Sequence, residues 1–394
     1  MGPSRERAFM DLNYTAEQLA LKESAARFLK DRYPFDVRRR IEASTDGFSR
    51  DIWRVFADLG WLGLPFAAAH GGLDGTAVDI ALLSEMLGAS LVMEPYISTV
   101  VLCGSLIGAV GSAEQRATII REIIAGRSIL TLAHNEPQGR HAYGLVSTKA
   151  ERSGAEWRLD GRKSIVFDAP MADQFLITAR IGTDDACSPL GVFLVPAGTP
   201  GMTVSPFPIV DGRRAANIVL EGARVAAANR IGDVPDQTEA IEAAIDRARC
   251  ALAADAIGAM QVLLDKTIAY TKTRVQFGQP LAANQVLKHR MVDMAVRIEE
   301  ARSIALAASI RVDDGSTAAQ RGRSTSGAKV KVAAAARFVA EQAVQLHGAM
   351  GVTDELDVGA YFKRIMAFEA SYGTPPWHLK RYGALREAAI AAAA

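Results

Sequence analysis

Arg274-Val275-Gln276-Phe277-Gly278-Gln279-Pro280 and Gln345-Leu346-His347-Gly348-Ala349-Met350-Gly351 are the two stretches on which the reading of this chain turns. Each is a polar, glycine-bearing break in a long helical pattern. Between them Leu287, Met291, Met294, Ile298, Ala301, Ala305 and Ala308 recur at alternating spacings of four and three, and Val332, Ala335, Val339, Ala343 and Leu346 keep a similar rhythm up to the second break. That period places one apolar seam on each helix, and long seams need helical neighbours, so residues 233–394 read as a helical bundle.

Towards the N-terminus the texture changes. Between Ser128 and Gly232 the apolar residues fall in short β-rich runs: Ile129 to Ala133, Val146 to Ala150, Trp157 to Leu159, Ser164 to Phe167, Gln174 to Arg180, Val192 to Val195 and Ile218 to Leu220. Turn signals at Asp160-Gly161 and Pro200-Gly201 separate some of them, which predicts hairpins in a small antiparallel barrel over residues 128–232. Residues 1–127 return to helical spacing. Thr15 reads as an N-cap, Leu19, Ala26 and Phe28 begin an apolar stripe, and Ile52 to Leu59 and Asp79 to Leu87 repeat it, with Gly71-Gly72 and Pro95 in loops. Helices, then strands, then long helices is a segregated α+β order. No G-x-G-x-x-G follows a strand and no G-x-x-x-x-G-K-S/T occurs, so a dinucleotide has to bind by other means than a Rossmann or phosphate loop.

The 394 residues are 49% hydrophobic and 23% charged, ordinary for a folded chain with a sizeable core. Lys and Arg number 45 against 44 Asp and Glu, and a net charge of +1 gives no footprint for nucleic acid or an anionic membrane. Anionic ligands must be met by local groups. Cys103, Cys187 and Cys250 are far apart and form no C-x-x-C pair, which argues against a disulfide framework or a zinc site and suits a reducing cytoplasm. Neither a spanning helix nor a secretory leader is predicted, and Met1 to Phe9 reads as an extension ahead of a start at Met10. Ala388 to Ala394 reads as a fraying helix end.

The two breaks resemble the flavin-contacting signatures of the acyl-CoA dehydrogenase family, and a third family landmark, a glycine-threonine pair past the last long helix, is present as Gly373-Thr374. The resemblance runs from Tyr14-Thr15-Ala16-Glu17-Gln18 to Thr374. It implies an N-terminal helical domain, a middle β-barrel domain and a C-terminal four-helix bundle. Asp31-Arg32-Tyr33, Gly60-Trp61-Leu62-Gly63-Leu64-Pro65-Phe66 and Val92-Met93-Glu94-Pro95-Tyr96 more narrowly resemble the small subunit of pimeloyl-CoA dehydrogenase and similar two-subunit enzymes of carboxylate and steroid side-chain breakdown.

What the resemblance implies is a site divided between chains. In the family the arginine and phenylalanine of R-x-x-F-G reach across a subunit interface to the pyrophosphate and adenosine of an FAD held by the neighbour. Arg274 and Phe277 stand there, with Gln276 between them. A guanidinium can fork onto phosphate oxygens and an aromatic face can cover a planar ring. Gln285 matches a family glutamine on the following helix. Gln345, Gly348 and Gly351 match the second signature, where a missing Cβ lets backbone approach phosphate, although Ala349 replaces a common glycine. His347 reads equally as a packing residue or a cofactor contact, and Thr374 corresponds to a threonine that touches the flavin.

The family reaction removes a proton from the carbon α to a thioester while hydride leaves the β carbon for the flavin. Tyr372 occupies the usual position of the glutamate base, and Ala248 the alternative one. A phenol of ordinary pKa, about 10, needs roughly 4 kcal/mol of help to ionise at neutral pH. Asp246 and Arg249 match substrate-side residues, Asp246 a contact to the pantetheine arm of coenzyme A; Asp246 and Glu369 are the nearby carboxylates that could replace the base. The family's tryptophan-isoleucine-threonine stretch, which seats the flavin ring, aligns with Ile165-Val166-Phe167, and the loop Asn135 to His141 departs from type as well. The N–H of residue 372, which in the family polarises the thioester carbonyl, needs no particular side chain.

Three arrangements fit this sequence. The chain is a subunit of a heteromeric acyl-CoA dehydrogenase whose partner supplies the base and the ring pocket, or a self-sufficient FAD enzyme with a displaced base, or a flavin-free scaffolding or acyl-CoA-binding subunit. The implied partners are an acyl-CoA with a dicarboxylyl, branched or ring-bearing acyl group, a second acyl-CoA dehydrogenase subunit or further copies in a homotetramer, and an electron-transferring flavoprotein. Neither nucleic acid nor membrane is expected.

Overall fold

The computed structural model describes residues 13–139, 144–182, 188–276 and 278–391. The expectations placed on Met1 to Met10, Arg140, His141, Cys187, Phe277 and Ala392 to Ala394 therefore lie outside the described residues.

Helix α1 (Ala16–Arg32) starts where Thr15 predicts: its hydroxyl accepts from the N–H of Gln18, and the Gln18 side chain accepts from the N–H of Thr15, so two orphan donors are satisfied reciprocally. It is followed by α2 (Phe35–Ala43), α3 (Arg50–Asp58), α4 (Ala77–Ala89), a π-helical turn (Ile97–Cys103) running into α5 (Gly104–Val110), and the short α6 (Ala113–Gln115) and α7 (Arg121–Ile124). Trp53 and Phe56, three apart on one face of α3, join Phe28 and Trp61 in an aromatic core, with Phe28 meeting Trp61 edge-on at 5.5 Å.

The middle of the chain is a curled sheet of β1 (Leu130–Ala133), β2 (Lys149–Ser153), β3 (Glu156–Phe167), β4 (Gln174–Ile181), β5 (Leu190–Pro196), β6 (Met202–Pro208) and β7 (Arg214–Ala226). The order is β1-β4-β2-β3-β7-β6, with β5 on the other edge of β4. Most ladders are antiparallel as expected, but β1 and β2 both run parallel to β4. The chain between β1 and β4 makes a complete β2–β3 hairpin and so re-enters the sheet from the same end. The expected runs Trp157 to Leu159 and Ser164 to Phe167 are one strand, interrupted by register shifts before Gly161 and before Val166. β6 escapes the sequence reading because Pro206 and Pro208 are confined to an edge position.

The long helices are α8 (Thr238–Thr273), α9 (Gln285–Asp313), α10 (Ala318–His347), α11 (Val358–Ala370) and α12 (Pro375–Ala391), with a two-residue ladder of β8 (Val275–Gln276) and β9 (Gln279–Pro280) between α8 and α9. Both expected seams are interior: Met291, Met294, Ile298, Ala301, Ala305 and Ala308 on α9, and Val332, Ala335, Val339, Ala343 and Leu346 on α10, are buried. α4 crosses α8 at very short range. A Cβ on Gly88 would lie 2.0 Å from the Asp255 carbonyl oxygen, and one on Gly258 would lie 1.9 Å from that of Glu85.

Where the three regions meet, Arg364 of α11 is buried and fully engaged. Its guanidinium donates to both carboxylate oxygens of Asp255 on α8 at 2.9 and 2.8 Å, to Asp211 in the β6–β7 turn at 3.3 Å, and to the Val92 carbonyl at 3.2 Å. Removing one member of such a set leaves the others buried and unpaired, a loss of about 3–5 kcal/mol. Arg364→Met is therefore expected to lower the denaturation midpoint sharply, whereas Arg54→Ala, which breaks the exposed pair with Asp51, should shift stability by less than about 0.5 kcal/mol. Equal effects in urea titrations would contradict this placement of the ion network.

Beside that junction Glu94 is buried, with one oxygen accepting the Ser49 N–H at 3.2 Å and the other without a partner among the described residues. Burial pushes its carboxyl up to about 7. Below the unfolded value near 4.5 the residue is protonated in both states; as pH rises through 7 the unfolded chain ionises first, and stability is lost. The loss is on the order of 3 kcal/mol for a shift of this size. Glu94→Gln should flatten that part of the stability profile between pH 4.5 and 8, measured by thermal melts; parallel curves for both proteins would show that Glu94 does not titrate as argued.

Candidate functional site

The turn that carries residue 372 is built by donors from three helices. α11 ends at Ser371, Tyr372 takes a left-handed backbone (φ 49°), Gly373 follows at φ 113°, and α12 opens with Pro375, a residue suited to the first helical position. Gly373 has no substitute, because a Cβ there would meet His378 Nε2 at 2.5 Å and Trp377 at 2.8 Å. The carbonyl of Tyr372 accepts from Arg249 Nε at 3.0 Å, from Arg249 Nη2 at 2.9 Å and from His378 Nε2 at 3.1 Å. A carbonyl can only accept, so His378 carries its proton on Nε2 and its Nδ1 accepts from the Ser326 hydroxyl at 3.1 Å. Burial, with the cations of Arg249 and Lys329 nearby, pulls His378 down to about 2, and the ring stays neutral. Lys329 caps the same turn by donating to the carbonyls of Phe368 and Ser371, the second at 2.9 Å.

Arg249 is in turn held by Asp246, whose Oδ1 lies 2.5 Å from Arg249 Nη1, with Thr325 at 2.8 Å and Arg381 at 2.9 Å on the same oxygen. Arg321 approaches Oδ2 at 3.5 Å. Asp246 is wholly buried, and both of its oxygens are occupied by protein. The structure brings Asp246 and Arg249 together, and the pair braces the turn. Ala248 faces the core, and Glu369 is part-exposed and paired with Arg337 at 2.6 Å.

The Tyr372 ring leans on Phe167 with centroids 5.4 Å apart and planes at 41°. The ring pair lines two cavities, one of about 30 Å³ with Glu94, Tyr96, Ser98, Asp168, Arg213 and Arg364, among others, and one of about 10 Å³ with His134, Asn135, Ile165 and Ile245. Each has room for little more than a water molecule. Burial first, and then the charge of Asp168, drive the Tyr372 hydroxyl well above the ordinary phenol range. It is a hydrogen-bonding group at neutral pH, not a base. Three left-handed residues, Ile165 (φ 51°), Asp168 (φ 59°) and Tyr372, cluster here, and a β-branched residue in that conformation is strained.

The second locus lies at the far ends of α8 and α10. Arg274, Gln276, Gly278 and Gln285 are all exposed, and the Gln276 side chain donates to the carbonyl of its neighbour Val275. Gly278 turns the β8–β9 ladder at φ 78°. Gln345 and Gly348 are also exposed; Gly351 is buried, where a Cβ would come 2.7 Å from the Val344 carbonyl oxygen. His347 is a buried packing residue, its Nδ1 facing the Ala343 carbonyl at 2.7 Å and its ring against Tyr270. Thr374 is half-buried, and its carbonyl accepts from His378 N–H at 3.0 Å. The first locus thus keeps only small voids around a part-exposed ring pair, and the second presents polar side chains and bare backbone to solvent.

Sequence reasoning missed Lys329, His378, Arg381 and the Phe167–Tyr372 contact. A signal existed for Lys329: with Thr325 and Val332 it continues the buried stripe of α10, and a lysine on an apolar face needs an interior partner.

Comparison with known proteins supplies the remaining context. Three family profiles match in chain order: "Acyl-CoA dehydrogenase, N-terminal domain" over residues 15–127, "middle domain" over 131–222 and "C-terminal domain" over 238–381. A probable acyl-CoA dehydrogenase of Bacillus subtilis, YngJ, is 30% identical over 373 residues, covering 93% of this chain and 96% of the relative. Among solved structures, the ChsE4–ChsE5 complex from Mycobacterium tuberculosis superposes with a TM-score of 0.86 at 26% identity, covering 96% of this chain and 99% of the other. The FAD complex of PigA gives 0.86 at 25%, covering 96% and 100%. With matching profiles in order and a relative similar over nearly its whole length, the chain belongs to the acyl-CoA dehydrogenase family.

Proposed function

We propose that this chain is one subunit of a heteromeric FAD-dependent acyl-CoA dehydrogenase, which desaturates an acyl-CoA thioester between its α and β carbons. The chain completes the adenosine and pyrophosphate end of a flavin whose reactive ring sits in the partner's pocket. One observation carries the reading: Arg274, Gln276, Gln285, Gln345 and Gly348, matched to a neighbour's flavin, are exposed, whereas the position of this chain's own reaction site is occupied by the Phe167–Tyr372 ring pair. A homo-oligomer would need both loci open in every copy.

FAD, when bound, supplies the hydride acceptor of this reaction class. Arg274 offers a guanidinium to phosphate oxygens, Gln276, Gln285 and Gln345 offer amides, and Gly348 and Gly351 let backbone approach. Phe277 and Thr374 complete the set by resemblance. The proton from the α carbon needs a carboxylate near its ordinary range, and that group belongs to the partner. Asp246, ion-paired on both oxygens, and Glu369, paired with Arg337, are poorly placed to replace it, which weighs against a self-sufficient enzyme. That a relative by structure is a complex of two differently named chains fits the same reading. We further assign an acyl-CoA with a dicarboxylyl, branched or ring-bearing group, an electron-transferring flavoprotein as oxidant, a dimer-of-dimers assembly and a cytoplasmic setting.

The test is co-expression with the second acyl-CoA dehydrogenase chain. Arg274→Ala should weaken flavin retention in the mixed complex by about tenfold or more, in line with loss of a charge-assisted phosphate contact of about 1.5–3 kcal/mol. Tyr372→Phe should leave turnover within about twofold, because a neutral, buried hydroxyl transfers no proton in the reaction. Turnover abolished by Tyr372→Phe, or flavin retained undiminished by Arg274→Ala, would reject the assignment.

A further inference from the structure

Tyr270 and His347 belong to different helices, the first one turn before Arg274 and the second immediately before Gly348, and their rings stack with centroids 4.5 Å apart and planes at 31°. We infer that this stack sets the spacing between the two halves of the flavin cradle, which makes Tyr270 a positioning residue for the dinucleotide; the inference rests on the partner-site reading above.

A continuous series of contacts joins the two signatures through these rings. The backbone N–H of Arg274 donates to the Tyr270 carbonyl at 2.8 Å, so the arginine leaves α8 directly from Tyr270. Across the stack, His347 Nδ1 lies 2.7 Å from the Ala343 carbonyl, which can only accept; that nitrogen therefore carries the proton and the ring is pinned along α10. Burial lowers its proton affinity, so the stack is between two neutral rings. Beyond His347 the glycine turn folds back on it, since a Cβ on Gly351 would lie 3.1 Å from His347 Cβ. A salt bridge of 3.0 Å from Lys266, one turn earlier on α8, to Asp357 beyond the glycine turn ties the same two segments, but its lysine is 40% exposed and the pair is weak.

One cradle half leaves α10 through Gly348 at φ 61°, and the other reverses direction at Gly278, φ 78°, in the β8–β9 turn beyond α8. Neither segment fixes its own position, and ordering them on binding would cost affinity unless something holds them beforehand. The ring stack, with His347 buried and Tyr270 partly so, is a contact that lies directly between the two segments. The Tyr270 hydroxyl has no hydrogen bond among the described residues, so the ring face, not the oxygen, carries the effect.

The experiment measures FAD dissociation from the assembled complex, read by the fluorescence of released flavin, for wild type, Tyr270→Ala, Tyr270→Phe and Arg274→Ala. Loss of one aromatic pair predicts about a tenfold weaker FAD complex for Tyr270→Ala, with Tyr270→Phe within about twofold of wild type and subunit assembly unchanged. If Arg274→Ala loosens FAD and Tyr270→Ala does not, the stack inference fails and the cradle stands. If neither loosens it, the cradle itself is wrong. Equal weakening by the alanine and phenylalanine variants would mean that the hydroxyl contacts the ligand, and would overturn positioning by the stack. Should Tyr270→Ala fail to assemble, His347→Leu, which keeps bulk and removes the aromatic face, gives the same comparison.

Discussion

The carbonyl oxygen of Tyr372 is the point on which the site depends. Two nitrogens of Arg249 and one of His378 converge on it, and Asp246 anchors the arginine from behind. Three donors on one acceptor hold a non-glycine residue in the left-handed region, where it would not stay unaided. Because that backbone is fixed, the direction of the Tyr372 side chain is fixed as well, and it points at Phe167. The glycine after it, the buried lysine beneath it and the neutral histidine beside it all serve the same turn.

That arrangement explains how one fold can keep a frame and change its use. On the proposed reading, two bulky rings, Phe167 and Tyr372, fill the position of the reaction centre. The braces of the turn need not change. The ends of α8 and α10, by contrast, have supports of their own: their helices are held by the buried seams of α9 and α10 and by the close α4–α8 crossing at Gly88 and Gly258, and the two ends meet each other at Tyr270 and His347. The two loci are built independently, and the proposed division of one flavin site between two chains uses that independence.

Much of the scaffold was legible in the sequence, and the reasons are local. Thr15 with Gln18 announces a helix start, the spacing of Met291 to Ala308 announces a buried face, and the two polar, glycine-bearing breaks lie where long helices end. What could not be read depends on contacts distant in sequence. A backbone carbonyl has no letter, so the grip of Arg249 on residue 372, 123 positions away, leaves no trace in composition or period. The same holds for Phe167 against Tyr372 and for the parallel pairing of β1 and β2 with β4. β6 was invisible for another reason, because its prolines argue against a strand wherever the edge position is unknown. Asp246 and Arg249 were found as a pair, but the sequence could not tell that protein groups occupy both carboxylate oxygens.

The central claim is that this chain lends one end of a flavin site and keeps no working site of its own. Its most direct measurement is the ratio of FAD to polypeptide in the purified complex, from flavin absorbance after denaturation and quantitative amino-acid analysis. The account predicts one FAD for every pair of unlike chains. One FAD for every chain, or a flavin-loaded oligomer of this chain alone, would contradict it.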